Sequence, residues 1–445
     1  MLVACRCGRD ASTRVAGRVL DEYRRNTSLR PLAEAGSIRL RLARSGPEAA
    51  EPGTAEIEWE GRRYRETIAS AGATLVRGIQ ARKAFFTDED GVTRVGSEPM
   101  LAELLTRSYF WRRAYFFEDR ERAKLALGPS DASTISLRLR PLGGNDLLLA
   151  FDRDVRSMRR AVSPRFQLEF AGPAAFEDRS RRPVSAEIVW TGLPTRRLPD
   201  PAVGGWKGRF AQPFAEAPFE SGPRGISFSA EIAGIPARIA LDAGAAGPLA
   251  VSPELARRAG LAPRRDVFGR LLAAGAALRI GTFAMPSLVA EVAAPGEAEI
   301  DAVAGGVLYR ETVVEIDPGD RRIRFHDPDR WVPPEGFGRN VIDDDGNLPV
   351  AILFRSGRRL RLRAGTRASA PLELSARAAR ELGLEGGQLT GLLWGTLRLP
   401  PLPVGVSETE FDSEWGDDGA LGWQVVTRFH VFVDLPHRWI YVRPA

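Results

Sequence analysis

The residues whose types could do chemistry in this chain are carboxylates at the ends of apolar strand-like runs. Asp242 closes the run Ile235–Leu241 and is followed by Ala243 and Gly244, two small residues suited to a tight loop. Asp317 and Asp434 also end such runs, each just before a turn, and read as turn-forming residues. Asp343, Asp344 and Asp345 stand together before Gly346-Asn347, a pattern that reads as a solvated turn. Other catalytic sets are not legible: there is no Ser-His-Asp arrangement, and Gly204-Gly205 and Gly386-Gly387 lack the spacing that cradles a phosphate. The three histidines, His326, His430 and His437, lie late in the chain without metal-ligand spacing, and Cys5 and Cys7 are the only cysteines. The expectation is therefore no metal, no cofactor and no disulfide framework.

What must position Asp242 is a unit that occurs twice. The segment RIALDAGAAGPLAVSPELARRAGL (238–261) aligns without a gap to RLRAGTRASAPLELSARAARELGL (361–384). GTFAMPSLVAEV (281–292) aligns to GTLRLPPLPVGV (395–406), and LYRETVVEIDPGDRRIRF (308–325) to VVTRFHVFVDLPHRWIYV (425–442). Three ordered, gapless matches indicate a duplication. Each copy is predicted to be β-rich: a strand into the Asp242 loop, a short helix from Ser252 stopped by Gly260, an apolar-apolar-Gly element at Val303-Ala304-Gly305, and a closing hairpin. The duplication also names the counterparts of Asp242-Ala243-Gly244 in the second copy, which are Gly365, Thr366 and Arg367.

The strand, the Asp-Ala-Gly loop, the SPELARRAGL helix, the apolar-apolar-Gly element and VVEID…RRIRF together resemble the bacterial retropepsin-like aspartyl proteases. The resemblance covers 222–331 and extends to 340–445 through the repeat. It implies two tandem acid-protease β-barrel lobes, with Asp242 at the catalytic position, Gly244 at the tight turn, and Ala243 where the family's bracing Thr stands. In that chemistry two carboxylates share one proton, so that one stays neutral while the other activates water. Here the second acid position is Gly365; Thr366 keeps the brace, and Arg367 replaces a turn glycine. An arginine beside Asp242 would hold it ionised, the wrong state for half of a proton-sharing pair. The family also carries a substrate-covering flap between the acid loop and Gly281, which places Arg264, Arg265, Asp266 and Phe268 in or near it. That interval is 39 positions in the first copy, against 30 from Gly365 to Gly395 in the second, consistent with one retained flap over a cleft. The resemblance thus implies a catalytically degenerate lobe pair that binds a peptide or protein in its cleft. Two other readings stay open: an active aspartic endopeptidase using Asp242 twice as a homodimer, or a stand-in acid from Asp343, Asp344 or Asp345.

The first half is a different kind of β structure. Ile38, Leu40 and Leu42 alternate with arginines, Ala55, Ile57 and Trp59 with glutamates, and the chain returns past Glu60-Gly61 through Tyr64, Glu66 and Ile68. A helix or helix pair is predicted over 99–117, where Tyr109-Phe110-Trp111 and Tyr115-Phe116-Phe117 form a dense aromatic cluster that reads as core. Strand patterns resume at Ile135–Leu139, Leu147–Phe151, Phe166–Phe170 and Ala186–Trp190. This pattern and the terminal hairpin resemble the LolA/LolB-type carriers over about 20–195. That resemblance implies a curved antiparallel sheet with a few helices, and a lipid or lipoprotein ligand.

The expected organisation is mainly β: a disordered or targeting remnant at 1–20, the curved-sheet domain at 21–195, a Pro/Gly linker at 196–221, and lobes at 222–331 and 340–445. Val19–Leu32 has helix-like spacing. Nucleic acid is not an expected partner. Although the net charge is +6, Lys83, Lys124 and Lys207 are the only lysines and the arginines are scattered, whereas phosphate binding needs a concentrated patch. No apolar run reaches the length of a transmembrane helix. Leu2-Val3-Ala4-Cys5 resembles a lipoprotein cleavage box without its preceding signal. The expected location is therefore the cell envelope, periplasmic or lipid-anchored, with the cytoplasm as the alternative.

Overall fold

The computed structural model describes residues 3–445 except 28, 30–31, 33–34, 44–49, 165, 173–174, 179–183, 193–197, 199–200, 202–203, 206, 223–224, 246, 295–298, 345–348, 367, 369, 385–386 and 408–416. The chain divides into two compact units. The first comprises Met1–Val203 with Arg265–Arg270, and the second Gly204–Arg264 with Leu271–Ala445.

The first unit is built on one 13-stranded sheet whose order follows the chain outward from its first strand on one side and, on the other, runs back along the chain from its last strand. Ala35–Ala43 pairs antiparallel with Gly53–Glu60 on one side and with Val184–Gly192 on the other. The two outermost strands, Thr93–Val95 and Lys124–Leu127, bracket the helix Glu98–Trp111. Ser97 caps that helix through its side chain and a proline occupies its first turn, within the segment 99–117 expected to be helical. Strand alternation buries Ile38, Leu40, Ala55, Ile57, Trp59 and Tyr64.

Polar groups are buried on the face that this helix covers. Glu103, fully buried, accepts from Arg107 Nε (3.1 Å), Asn145 Nδ2 (2.9 Å) and Ser163 Oγ (2.9 Å). Arg107 also reaches Glu66 at 3.5 Å, and Arg77 donates to the same carboxylate. Burial alone would raise the Glu66 carboxyl, but the Arg77 and Arg107 guanidiniums overcome it and hold it below its usual range. Ion pairs and hydrogen bonds therefore join helix and sheet on this face.

Two boundaries differ from expectation. Residues 1–20, expected as a disordered or targeting remnant, lie largely within a helix that runs Val3–Thr27 and buries Ala16, Val19, Leu20 and Tyr23. The expected linker at 196–221 is only partly a linker. Arg209–Phe210 and Phe214–Gly222 are strands of the second unit, the latter burying Ala215, Ala217 and Phe219 on one face. Pro218 is tolerated because it stands where the strand changes partners, from Arg322–His326 to Gly225–Ile232.

In the second unit the duplication is visible strand by strand. Ile235–Leu241 runs parallel to Ala302–Ala304 with Leu241 opposite Ala304, and Arg358–Thr366 runs parallel to Gly419–Gly422 with Ala364 opposite Leu421. Leu249–Val251 lies between Phe283–Val292 and Ala302–Ala304, just as Leu372–Ser375 lies between Leu402–Ser407 and Gly419–Gly422. Each copy then enters a short helix capped by the same residue type, Ser252 in one and Ser375 in the other. The closing hairpins pair with each other: Val314 faces Val433, Glu315 faces Phe432 and Ile316 faces Val431. Since Glu315 and Phe432 are equivalent positions of the repeat, this pairing marks a local two-fold relation between the lobes. The architecture is mainly β with two tandem lobes, as expected.

Candidate functional site

The Asp242 loop is fixed first by its own lobe. Asp242 N–H donates to Ala304 O at 2.9 Å, Ala245 N–H to Asp242 O at 3.0 Å, and Gly306 N–H to Ala245 O at 2.8 Å. The Asp242 carboxylate accepts from Gly244 N–H at 2.8 Å, which aims one oxygen back into the turn. Gly305 has no side chain because none fits: a Cβ there would sit 2.0 Å from Asp242 O and 2.6 Å from Ala245 O. The apolar-apolar-Gly element read from the sequence is therefore the floor under the Asp242 loop. Asp242 itself is half-buried, between the buried Leu241 and Ala243.

The second lobe meets this loop directly. Ala243 N–H donates to Gly365 O at 3.0 Å, so the counterpart loops of the repeat face one another across the lobes. Gly365 is buried with φ +81°, in the left-handed region, and interrupts the register between Ala364 and Thr366. A Cβ on Gly365 would lie 2.9–3.1 Å from the ring of Trp423. Trp423, 3% exposed, donates its Nε1–H to Leu241 O at 3.1 Å. Its ring also lies against Gly225, where a Cβ would sit 2.6 Å from Cδ1. In the first lobe the equivalent of Trp423 is Gly306. The space beside the second acid position thus holds an indole.

Brace chemistry is redistributed accordingly. Ala243 cannot donate a hydroxyl bond, but the Trp423 N–H ties the strand one residue before Asp242 to the second lobe. The Thr366 side chain and Arg367 lie outside the described residues. Tyr309, in the helix after Gly305, is fully buried; among the described residues its hydroxyl has no hydrogen-bond partner. Burial, with the Asp242 carboxylate adding to it, pushes its phenol far above the usual value.

Of the three acids before Gly346, Asp344 is fully buried at the end of the strand Gly338–Asp344. Asp343 binds Arg359 and Arg361, and Asp345 lies outside the described residues. Asp317 Oδ1 accepts from Gly319 N–H (3.1 Å) and Asp320 N–H (3.2 Å), and Asp434 Oδ1 accepts from His437 N–H (3.2 Å); both are turn residues, as read from the sequence. The segment expected as a flap is divided. Arg264 is exposed in the second unit, whereas Arg265 and Phe268 belong to the first. There Val267 N–H donates to Ser70 Oγ (2.8 Å), and Arg270 pairs with Glu89 (2.7 Å) and Asp266 (2.8 Å). Arg265 and Phe268, expected in or near a flap, thus lie in the segment that belongs to the first unit, where Asp266 and Arg270 pair with each other.

Sequence reading passed over Trp423 and a second cluster. Two of the three histidines converge on one carboxylate: His326 Nε2 lies 2.7 Å and His430 Nε2 2.8 Å from Glu315, which Arg324 also contacts at 2.8 Å. Burial would raise the Glu315 carboxyl, but these bonds and the Arg324 charge bring it down to about 2. The available signal for Trp423 was its place directly after the apolar-apolar-Gly element, where the first copy has glycine. Nothing in the spacing of the histidines could have shown that they converge.

No family model matches the chain, and no curated protein does. Among solved structures it is similar to an aspartic proteinase from Irpex lacteus, at 9% identity and a TM-score of 0.34, over 52% of this chain and 97% of that one. It is also similar to Basic 7S globulin from soybean, at 10% identity and a TM-score of 0.33, over 52% of this chain and 94% of that one.

Proposed function

We propose that the second unit is a bilobed, aspartic-protease-like binding module that has lost its acid pair and takes a peptide segment in the groove between its lobes. The observation that carries this reading is the buried Gly365, in a left-handed conformation under the Trp423 ring, at the position that should supply the second carboxylate. One carboxylate cannot share a proton with itself, so Asp242 lacks the partner that would hold the neutral acid. The bond from Ala243 N–H to Gly365 O also occupies the face that a second copy of lobe one would need in order to bring its own Asp242 alongside.

The test is turnover and binding measured on the same preparation. Purified protein should leave a broad peptide library uncut from about pH 3 to 7, while peptides from that library bind saturably and more weakly to Asp242→Asn. Hydrolysis at mildly acidic pH that disappears in Asp242→Ala overturns the proposal, as does the absence of any peptide binding.

A further inference from the structure

We propose that Glu315, Asp317 and His430 form a site for a divalent transition-metal ion of the zinc class at the seam between the lobes, in competition with the Arg324 guanidinium. One imidazole and two carboxylates make a donor set suited to such an ion. Their donor atoms lie within 4.8 Å of one another, with His430 Nε2 2.8 Å from Glu315, and ligands on ~2.1 Å bonds would stand roughly 3.4 Å apart, so shifts of about 1.4 Å at most close the site. Glu315 and Asp317 come from the first lobe and His430 from the second, held together by the pairing of Glu315 with Phe432 and Ile316 with Val431.

The surroundings are those of a built site. Side-chain exposure is 6% for Glu315, 14% for Asp317 and 13% for His430. The His430 ring is stacked on Phe432 and met edge-on by Phe337, so little rotamer freedom is left to lose. His326 Nε2, 2.7 Å from the other Glu315 oxygen, is placed as an outer-shell partner that orients the carboxylate.

Two guanidiniums stand where the ion's charge would act. Arg324 lies 2.8 Å from Glu315 and 3.7 Å from Asp317, and is the resident counter-charge of the pair. It has Glu216 at 3.2 Å and Asp320 at 3.6 Å to turn to when displaced. Arg443 Nη2 lies 3.3 Å from His430 Nδ1. Coordination through Nε2 places the ring proton on Nδ1, so this exposed arginine must withdraw.

The experiment is calorimetric titration of the full chain with zinc chloride, in a Cys5→Ser, Cys7→Ser background that removes thiol binding. One equivalent of Zn²⁺ should bind and raise the melting temperature. His430→Asn should weaken binding at least tenfold and abolish the thermal shift, whereas Arg324→Gln should tighten binding by removing the competing charge. Absence of saturable binding in both the parent and Arg324→Gln overturns the proposal. So does zinc binding that is indifferent to His430→Asn, or weakened by Arg324→Gln. These outcomes are separate from peptide binding, because the cluster lies on the closing hairpins and not on the Asp242 loop.

Discussion

The indole N–H of Trp423 donates to the carbonyl oxygen of Leu241 at 3.1 Å, so a residue of the second lobe holds the strand that delivers Asp242 in the first. The same ring lies over Gly365. One side chain therefore does two things: it joins the lobes and fills the space beside Gly365. This bond, with that of Ala243 N–H to Gly365 O, links the two loops.

Trp423 is accordingly expected to dominate lobe–lobe stability. Trp423→Ala removes a buried indole and leaves a cavity, and should cost about 3–5 kcal/mol in urea unfolding. Trp423→Phe keeps most of the ring but strands the Leu241 carbonyl, and should cost on the order of 1–2 kcal/mol. Equal stability of Trp423→Phe and the parent would show that the N–H bond contributes nothing.

Gly365 and Trp423 should be energetically coupled. Gly365→Ala forces an L-residue into the left-handed region, at about 1–2 kcal/mol, and drives its Cβ into the indole. In a Trp423→Ala background only the backbone cost remains. The double-mutant cycle should therefore show a coupling of at least ~0.5 kcal/mol. Strict additivity would mean that the two residues do not touch in solution.

Acid should loosen the lobe junction through Glu315. Its folded pKa of about 2 lies below the ordinary 4.5, so the ionised form contributes stability above pH 4.5, and this contribution is lost as pH falls through about 2. The linked loss is on the order of 3 kcal/mol at most. Unfolding free energies of the parent and Glu315→Gln, measured between pH 5 and pH 2, should converge as pH falls; parallel curves would contradict the linkage.

In the first unit, Glu103→Leu should leave Arg107, Asn145 and Ser163 with an acceptor missing in the interior, at a cost of about 3–5 kcal/mol. Arg107 keeps Glu66 as a partner. The double variant Glu103→Leu, Arg107→Met should be less damaging than the sum of its parts, because it removes the stranded charge as well. Circular dichroism melts of the three variants decide this.

Much of the site was legible in the sequence because duplication carries its own coordinates. Gapless alignment of two copies gave Gly365 as the counterpart of Asp242, and the backbone places the two loops against each other through Ala243 N–H and Gly365 O. Strand alternation likewise indicates the buried face that carries Ile38, Ile57 and Tyr64, since a period of two follows directly from the pleat. Alternation in Phe214–Gly222 is masked by Pro218 and the flanking Pro213 and Pro223, so this strand reads as linker in the sequence. The helix Val3–Thr27 was anticipated only from about Val19, where its buried residues are closely spaced.

By itself, then, the sequence determined the repeat, the β-rich lobes and the absence of a second acid at Gly365, because each follows from local periodicity or from comparing the chain with itself. The tertiary structure alone decided that Trp423 fills the space beside that position and that His326 and His430 meet on Glu315. The bond from His430 to Glu315 spans 115 residues, and that from Trp423 to Leu241 spans 182. Neither separation is set by strand or helix period; both depend on how the closing hairpins and the two acid-loop strands pack, which no local pattern specifies.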